Sequence, residues 1–273
     1  MKILVPTDFS ACANNATNFA CELAGHLDAE VVLFHSIWPF NTLEPMAYTS
    51  TFATEYYQAR EKRMKDFTAE LKKKFGGSSK ISGICKIGFS VQDITETADK
   101  EKFTLIVMGT QGAEGISGFA FGSNTGGVIG KTKVPVLAIP KKYTFHQVKN
   151  ALVYATGLTE KVSKSSKQVL KYILDVFRLP LKTIYVNTKH AEIINKSVPI
   201  NLAKAMGVDT IDFHAIDSDD IQKAISIFTD SVDAGMLIMV GRKHNFLEKL
   251  FIESVSKKVA YHTKIPLLVL HEE

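Results

Sequence analysis

Residues 105–109 read LIVMG, and residues 237–241 read LIMVG. A second pair follows in the same order, TKVPVLAI at 132–139 and TKIPLLVL at 263–270. The two offsets are 132 and 131 residues. A third pair, KILV at 2–5 and NALV at 150–153, stands at the start of each half. Three matches in one order indicate a duplicated domain rather than an array of small repeats. The expected halves are residues 1–140 and 150–273, with a linker at 141–149 that follows the helix-incompatible Pro140.

Within the first half, short apolar runs alternate with helical patterns. The runs at 3–5, 31–34, 105–108 and 134–139 are nearly continuous, and 81–87 is a weaker candidate. Strands covered on both faces read this way, as in parallel sheets flanked by helices. Between them, Tyr57, Met64, Phe67, Leu71 and Phe75 recur on one face of a long helix. This alternation predicts a doubly wound α/β domain. The second half repeats the plan, with a shorter connection after its second strand.

Composition narrows the function. The 273 residues are 45% hydrophobic and 22% charged, the balance of an ordinary globular chain. No apolar run approaches the roughly 18 to 20 residues of a membrane span. The three apolar residues before Pro6 fall short of the ~7 to 15 of a secretory signal, and the expected compartment is the cytoplasm. Cys12, Cys21 and Cys85 fit no metal pattern and suit a reducing environment. The net charge is only +5, and the densest basic run, Lys72 to Lys74, sits where a helix ends before Gly76. Nucleic acid is not an expected partner, nor is a membrane.

The segment GSNTGGVIGKT at 122–132 invites comparison with a phosphate-binding P-loop. A Walker motif leaves four residues between its first glycine and the Gly-Lys pair. Counting back from Gly130, that place falls on Thr125, and Gly126 is one residue late. The segment also leads into a strand, whereas a P-loop follows one. The Walker reading fails. Gly126, Gly127 and Gly130 each cost a helix up to ~1 kcal/mol relative to alanine, a cost that close packing on the sheet can offset.

The better phosphate candidate lies upstream. Gly109 closes the fourth strand, Gly112 follows after two residues, and Gly122, Ser123 and Asn124 come nine residues later. Glycines let backbone approach an anion closely. Ser123 and Asn124 are suited to cap the next helix, whose N-terminus offers N–H groups and a positive dipole end. A capped helix after a glycine-rich loop is also an ordinary strand-to-helix connection, so the residues alone leave both readings open.

These residues resemble the universal stress protein family in its tandem form. Its nucleotide-binding members carry G-x2-G-x9-G-[ST]-[VN] after the fourth strand, matched here by Gly109, Gly112, Gly122, Ser123 and Asn124. The family's opening, a short strand then Pro-Thr-Asp, is met by Pro6, Thr7 and Asp8, and the closing PVLAIP is present. The resemblance implies a Rossmann-like, five-stranded parallel sheet of order 3-2-1-4-5 in each half, with helices on both faces. It further implies an adenine nucleotide, ATP with Mg²⁺ as an open companion, at the switch point between strands 1 and 4. Pro6, Thr7 and Asp8 would border the adenosine, with Ser36 by the adenine where the family usually has a small apolar residue. Met108 and Gly109, with Gly112, Gly122, Ser123 and Asn124, would enclose ribose and phosphates. Asp8 has a competing reading as a helix cap.

The second half departs from the pattern. Aligning LV with LV puts Ala155 and Thr156 where Thr7 and Asp8 stand, so the carboxylate is gone. Gly241 matches Gly109, but His244 replaces the second glycine, and Glu253, Ser254 and Val255 replace Gly-Ser-Asn. A single nucleotide per chain is expected. By resemblance, the two fifth strands pair edge to edge and make the halves an internal pseudo-dimer, while further association into a homodimer stays open. No assembled catalytic constellation is visible. The resemblance allows at most slow ATP hydrolysis or self-phosphorylation, and it also covers relatives that bind no nucleotide and act as interaction proteins.

Overall fold

The computed structural model describes residues 1–39, 50–76, 80–110, 122–158, 161–188, 197–241 and 264–272, with backbone alone at 50–52 and 197. The first half runs β1 (Lys2–Pro6), α1 (Ala11–Leu27), β2 (Glu30–Ile37), α2 (Ser50–Phe75), β3 (Ile81–Ile87), α3 (Ser90–Lys100), β4 (Leu105–Gly109), α4 (Ser123–Lys131) and β5 (Val136–Ile139). The second runs β6 (Ala151–Thr156), α5 (Lys164–Phe177), β7 (Leu181–Asn187), α6 (Ser197–Met206), β8 (Asp212–Asp217), α7 (Ile221–Ser231), β9 (Ala234–Gly241) and β10 (Leu267–His271).

The ten strands among the described residues form one sheet of order β3-β2-β1-β4-β5-β10-β9-β6-β7-β8. Each half therefore has the expected order 3-2-1-4-5, and every pairing within a half is parallel. The two fifth strands meet at the centre and pair antiparallel, Leu268 opposite Leu137. Apolar strand residues face helices on both sides, which explains the unbroken apolar runs. On one face Ile3, Val5, Leu105 and Val107 meet Phe19 and Leu23 of α1, and the same cluster continues into Val169, Leu170 and Ile173 of α5. On the other, Leu4, Ile106 and Met108 pack under α3 and α4, next to Ile225 and Phe228 of α7. Burying Phe19 and Leu23, at 1% and 0% exposure, contributes roughly 1.5–3 kcal/mol each.

The segment between the halves is strapped down. Asn15 Nδ2 donates to the carbonyls of Pro140, at 3.0 Å, and Tyr143, at 2.9 Å. Phe145 packs among Phe19 (5.3 Å between ring centres), His26 (5.2 Å, stacked) and Phe177 (5.0 Å), which ties α1 to α5. The Tyr143 hydroxyl lies 3.0 Å from the carbonyl of Gly235 on β9.

Candidate functional site

Strands β1 and β4 are neighbours, Ile3 beside Leu105 and Leu4 beside Ile106. After β1 the chain turns to α1 on one face, and after β4 it reaches α4 on the other. The carboxyl ends of these two strands therefore open a crevice of the kind in which open α/β sheets bind ligands.

The β1 side is built by a tight turn. The Thr7 amide donates to Phe34 O at 2.8 Å, and the Thr7 hydroxyl accepts from the Phe9 amide at 3.0 Å. Phe9 adopts φ 61°, a left-handed conformation that a non-glycine residue adopts only when its surroundings hold it. Asp8 is exposed, and its Oδ1 accepts from the Ser10 amide at 2.9 Å. Ser10, not Asp8, is the N-cap of α1, accepting from the Ala13 amide. The cap reading of Asp8 is thus corrected, and its carboxylate stands at the strand end outside the helix.

His35 supports this turn from behind. It is buried, with Nδ1 2.7 Å from the Thr7 carbonyl and its ring 4.7 Å from Phe9. A carbonyl only accepts, so Nδ1 carries the proton. Burial lowers the pKa of His35, against the opposing hydrogen bond to Thr7. Ser36 donates to Asp93 Oδ2 at 3.3 Å, and Lys86 closes on the other oxygen at 2.7 Å. Asp93 is buried at 7% exposure, so Ser36 is tied to α3 by its hydrogen bond to a carboxylate that the partly exposed Lys86 also pairs.

The β4 side depends on one glycine. A Cβ at Gly109 would lie 2.8 Å from Cys12 Sγ and 3.0 Å from Cys12 O, so α1 crosses the strand end at a distance only glycine permits. Met108 beside it is buried. The Gly122 amide donates to Thr110 O at 2.8 Å, and the Thr125 hydroxyl donates to Gly109 O at 2.8 Å. These bonds bring the start of α4 back to the end of β4. Gly122 is the N-cap, with φ −52° and ψ 151°, so the expected capping by Ser123 and Asn124 is corrected. They are instead the first helical residues, both exposed. The amides of a helix's first turn have no intrahelical acceptor, and they point out at the end of β4. Gly112 lies outside the described residues. The packing on the sheet expected of the α4 glycines is corrected: a Cβ at Gly127 would lie 2.9 Å from Val91 of α3, and Gly130 faces open space.

In the second half the pairing shifts the equivalences by one residue. Gly109 pairs with Ile139, but Val240 pairs with Leu270, the counterpart of Ile139, while Gly241 pairs with His271. Val240, not Gly241, thus stands where Gly109 does. The Thr156 hydroxyl accepts from the Leu158 amide at 3.0 Å, and Leu158 has φ 70°. Thr156 therefore matches Thr7, and Gly157 matches Asp8. The expected loss of the carboxylate holds, one position later than the letters suggest. His244, Glu253, Ser254 and Val255 lie outside the described residues.

Three supports escaped the sequence: Cys12 under Gly109, Asp93 and Lys86 behind Ser36, and α2 against Phe9. Each joins residues far apart in the chain, and no local pattern announces them. Among the described residues, no cluster of His, Cys, Asp and Glu could hold a metal ion, and no helix is long and apolar enough to cross a membrane.

The model of the family described as "Universal stress protein family" matches residues 1–140 and again 163–271. One universal stress protein of Methanocaldococcus jannaschii is 32% identical over 145 residues, covering 51% of this chain and 82% of the relative. Another from the same organism is 29% identical over 157 residues, covering 52% of this chain and 95% of the relative. The crystal structure of a universal stress protein from Archaeoglobus fulgidus DSM 4304 superposes with a TM-score of 0.73 over 99% of this chain and 96% of that one. At 18% identity that likeness concerns the fold alone.

Proposed function

The chain belongs to the universal stress protein family along both halves, and on that premise we propose that it is an ATP-binding regulatory protein of the stress response. The nucleotide is held once per chain, in a first domain at 1–140 that is joined by the linker 141–149 to a degenerate second domain at 150–273. The observation that carries this reading is the return of the α4 N-terminus to Gly109 beside Asp8, which sets helix amides against an exposed carboxylate across two neighbouring strands. Phosphates suit the amides and the dipole end. Asp8 suits a ribose hydroxyl or an amino group, with Pro6, Thr7 and Ser36 along the nucleoside and Met108, Gly109, Gly112, Gly122, Ser123 and Asn124 around the phosphates. Mg²⁺ would accompany the phosphates. The protein would work in the cytoplasm, and any hydrolysis would be slow.

The second domain supports a single site, because Gly157 and Val240 stand where Asp8 and Gly109 do. Its role in this reading is scaffold or partner surface. The test is to identify any nucleotide released from the purified protein and to titrate ATP with Mg²⁺ by calorimetry. One ATP per chain is expected. A stoichiometry near two overturns the asymmetry, and no heat at millimolar ATP removes the nucleotide. Gly122→Val is the diagnostic variant, because φ −52° accepts any residue and the change blocks anion approach without straining the backbone. It should lower ATP affinity at least about tenfold, with a modest fall in melting temperature because valine is a poorer N-cap than glycine.

A further inference from the structure

A groove distinct from the strand-end crevice runs between α1 and α2, with Phe9 and Asn14 on one wall and α2 residues from Ala59 to Glu70 on the other. Its base is aromatic: Phe67 meets the Phe9 ring edge-on at 5.8 Å, and the Arg63 guanidinium lies 4.6 Å from the Phe9 ring centre. Along the α2 wall, Lys62 and Arg63 form a cationic end, and Asp66 and Glu70 form an anionic end. Spacings of three and four place these residues on one helical face, within reach of each other. Yet none of the ion pairs among the described residues involves any of the four. Asn14 faces them. Its Nδ2 donates to Phe9 O at 3.5 Å, while its Oδ1 is buried with no hydrogen-bond partner. A buried acceptor left without a donor carries an uncompensated desolvation cost, which an arriving N–H group relieves.

We propose that this groove binds a free aromatic α-amino acid, its carboxylate on Lys62 and Arg63, its ammonium toward Asn14 and Asp66, and its ring against the half-buried Phe67. The two charges of such a zwitterion match the two ends of the wall. A plain anion would meet Asp66 and Glu70 as repulsion, and a plain cation would meet Lys62 and Arg63 the same way. Arg63 lies over the Phe9 ring at 4.6 Å, and a guanidinium carries five N–H donors, more than one cation–π contact uses. The ammonium supplies the donor that Asn14 lacks, after a small rotation of the amide. This inference does not depend on the nucleotide reading, although both sites share the turn that carries Phe9.

The full-length protein is titrated by calorimetry with L-phenylalanine and, in parallel, with phenethylamine and 3-phenylpropionate, which keep the ring and one charge each. L-Phenylalanine should saturate at one per chain, and each single-charge analogue should bind at least about tenfold more weakly. Asp66→Asn and Arg63→Gln should each lower L-phenylalanine affinity about tenfold. Both side chains are exposed, so the melting temperature should hardly move. Failure of L-phenylalanine to saturate by ~10 mM, equal binding of the analogues, or unchanged affinity in both variants overturns the proposal.

Discussion

At Gly109 one methyl group decides how closely α1 approaches the sheet. Gly109→Ala puts a Cβ within 3.0 Å of the Cys12 backbone as well as 2.8 Å from its sulfur. Overpacking of this kind costs about 1–3 kcal/mol. Denaturant unfolding should show a lower midpoint, and Cys12→Ala in the same chain should recover only part of it because the backbone contact stays. His271 sets a second expectation at this scale. Burial drives its pKa down from 6.5 to about 4, and its Nε2 has no hydrogen-bond partner. Between those values the unfolded chain binds the proton that the folded one refuses, so stability falls as pH drops from 6.5 toward 4. The loss reaches up to about 3 kcal/mol. His271→Leu should flatten that stretch of the stability–pH curve, and an unchanged slope would show that other groups produce it.

Helix α4 shows how one element can hold glycines for different reasons. Gly127 packs against Val91 of α3, whereas an added Cβ at Gly130 meets nothing within 4 Å. Gly130→Ala should therefore stabilise the protein by up to ~1 kcal/mol, measured as a raised unfolding midpoint. Gly127→Ala should destabilise it, and Val91→Ala should relieve the clash. The strands were legible in the sequence because burial on both faces leaves unbroken apolar runs, and α2 was legible from its periodicity. The register of the repeat was not. LIVMG and LIMVG match best by letters one residue away from the match the sheet enforces, and a one-residue slip exchanges the two faces of a strand. Val107 lies in the same apolar cluster as Ile238, not in that of Met239. The cap of α4 was misread for a related reason: Gly122 N–H bonds to Thr110 O, a contact made across the loop that no capping preference foretells.

For the molecule as a whole, the continuous sheet and the apolar cluster shared by α1 and α5 should make unfolding a single event. Calorimetry should give one transition whose van 't Hoff and measured enthalpies agree. Phe145 is the side chain most exposed to a test, since it joins Phe19, His26 and Phe177 across the join of the halves. Phe145→Ala should cost about 3–5 kcal/mol and split that transition in two, the less regular half melting first. A single, merely shifted transition would mean that the β5–β10 pairing alone couples the halves. Pro6, Thr7, Asp8, Gly109 and Gly122 of the candidate site were legible in the sequence, and Gly112 lies outside the described residues. The site's supports were not, because Cys12, Asp93 and Lys86 reach it from other elements.

Because β5 and β10 run antiparallel, the strands of the two halves point in opposite directions. The crevice beside Asp8 and its counterpart beside Gly157 therefore open on opposite edges of the sheet. Once a single ancestral unit had been copied, the second opening could lose its carboxylate and its small residue without disturbing the first. The shared central strands hold both openings in one sheet, so a side chain changed at one edge leaves the other edge in place.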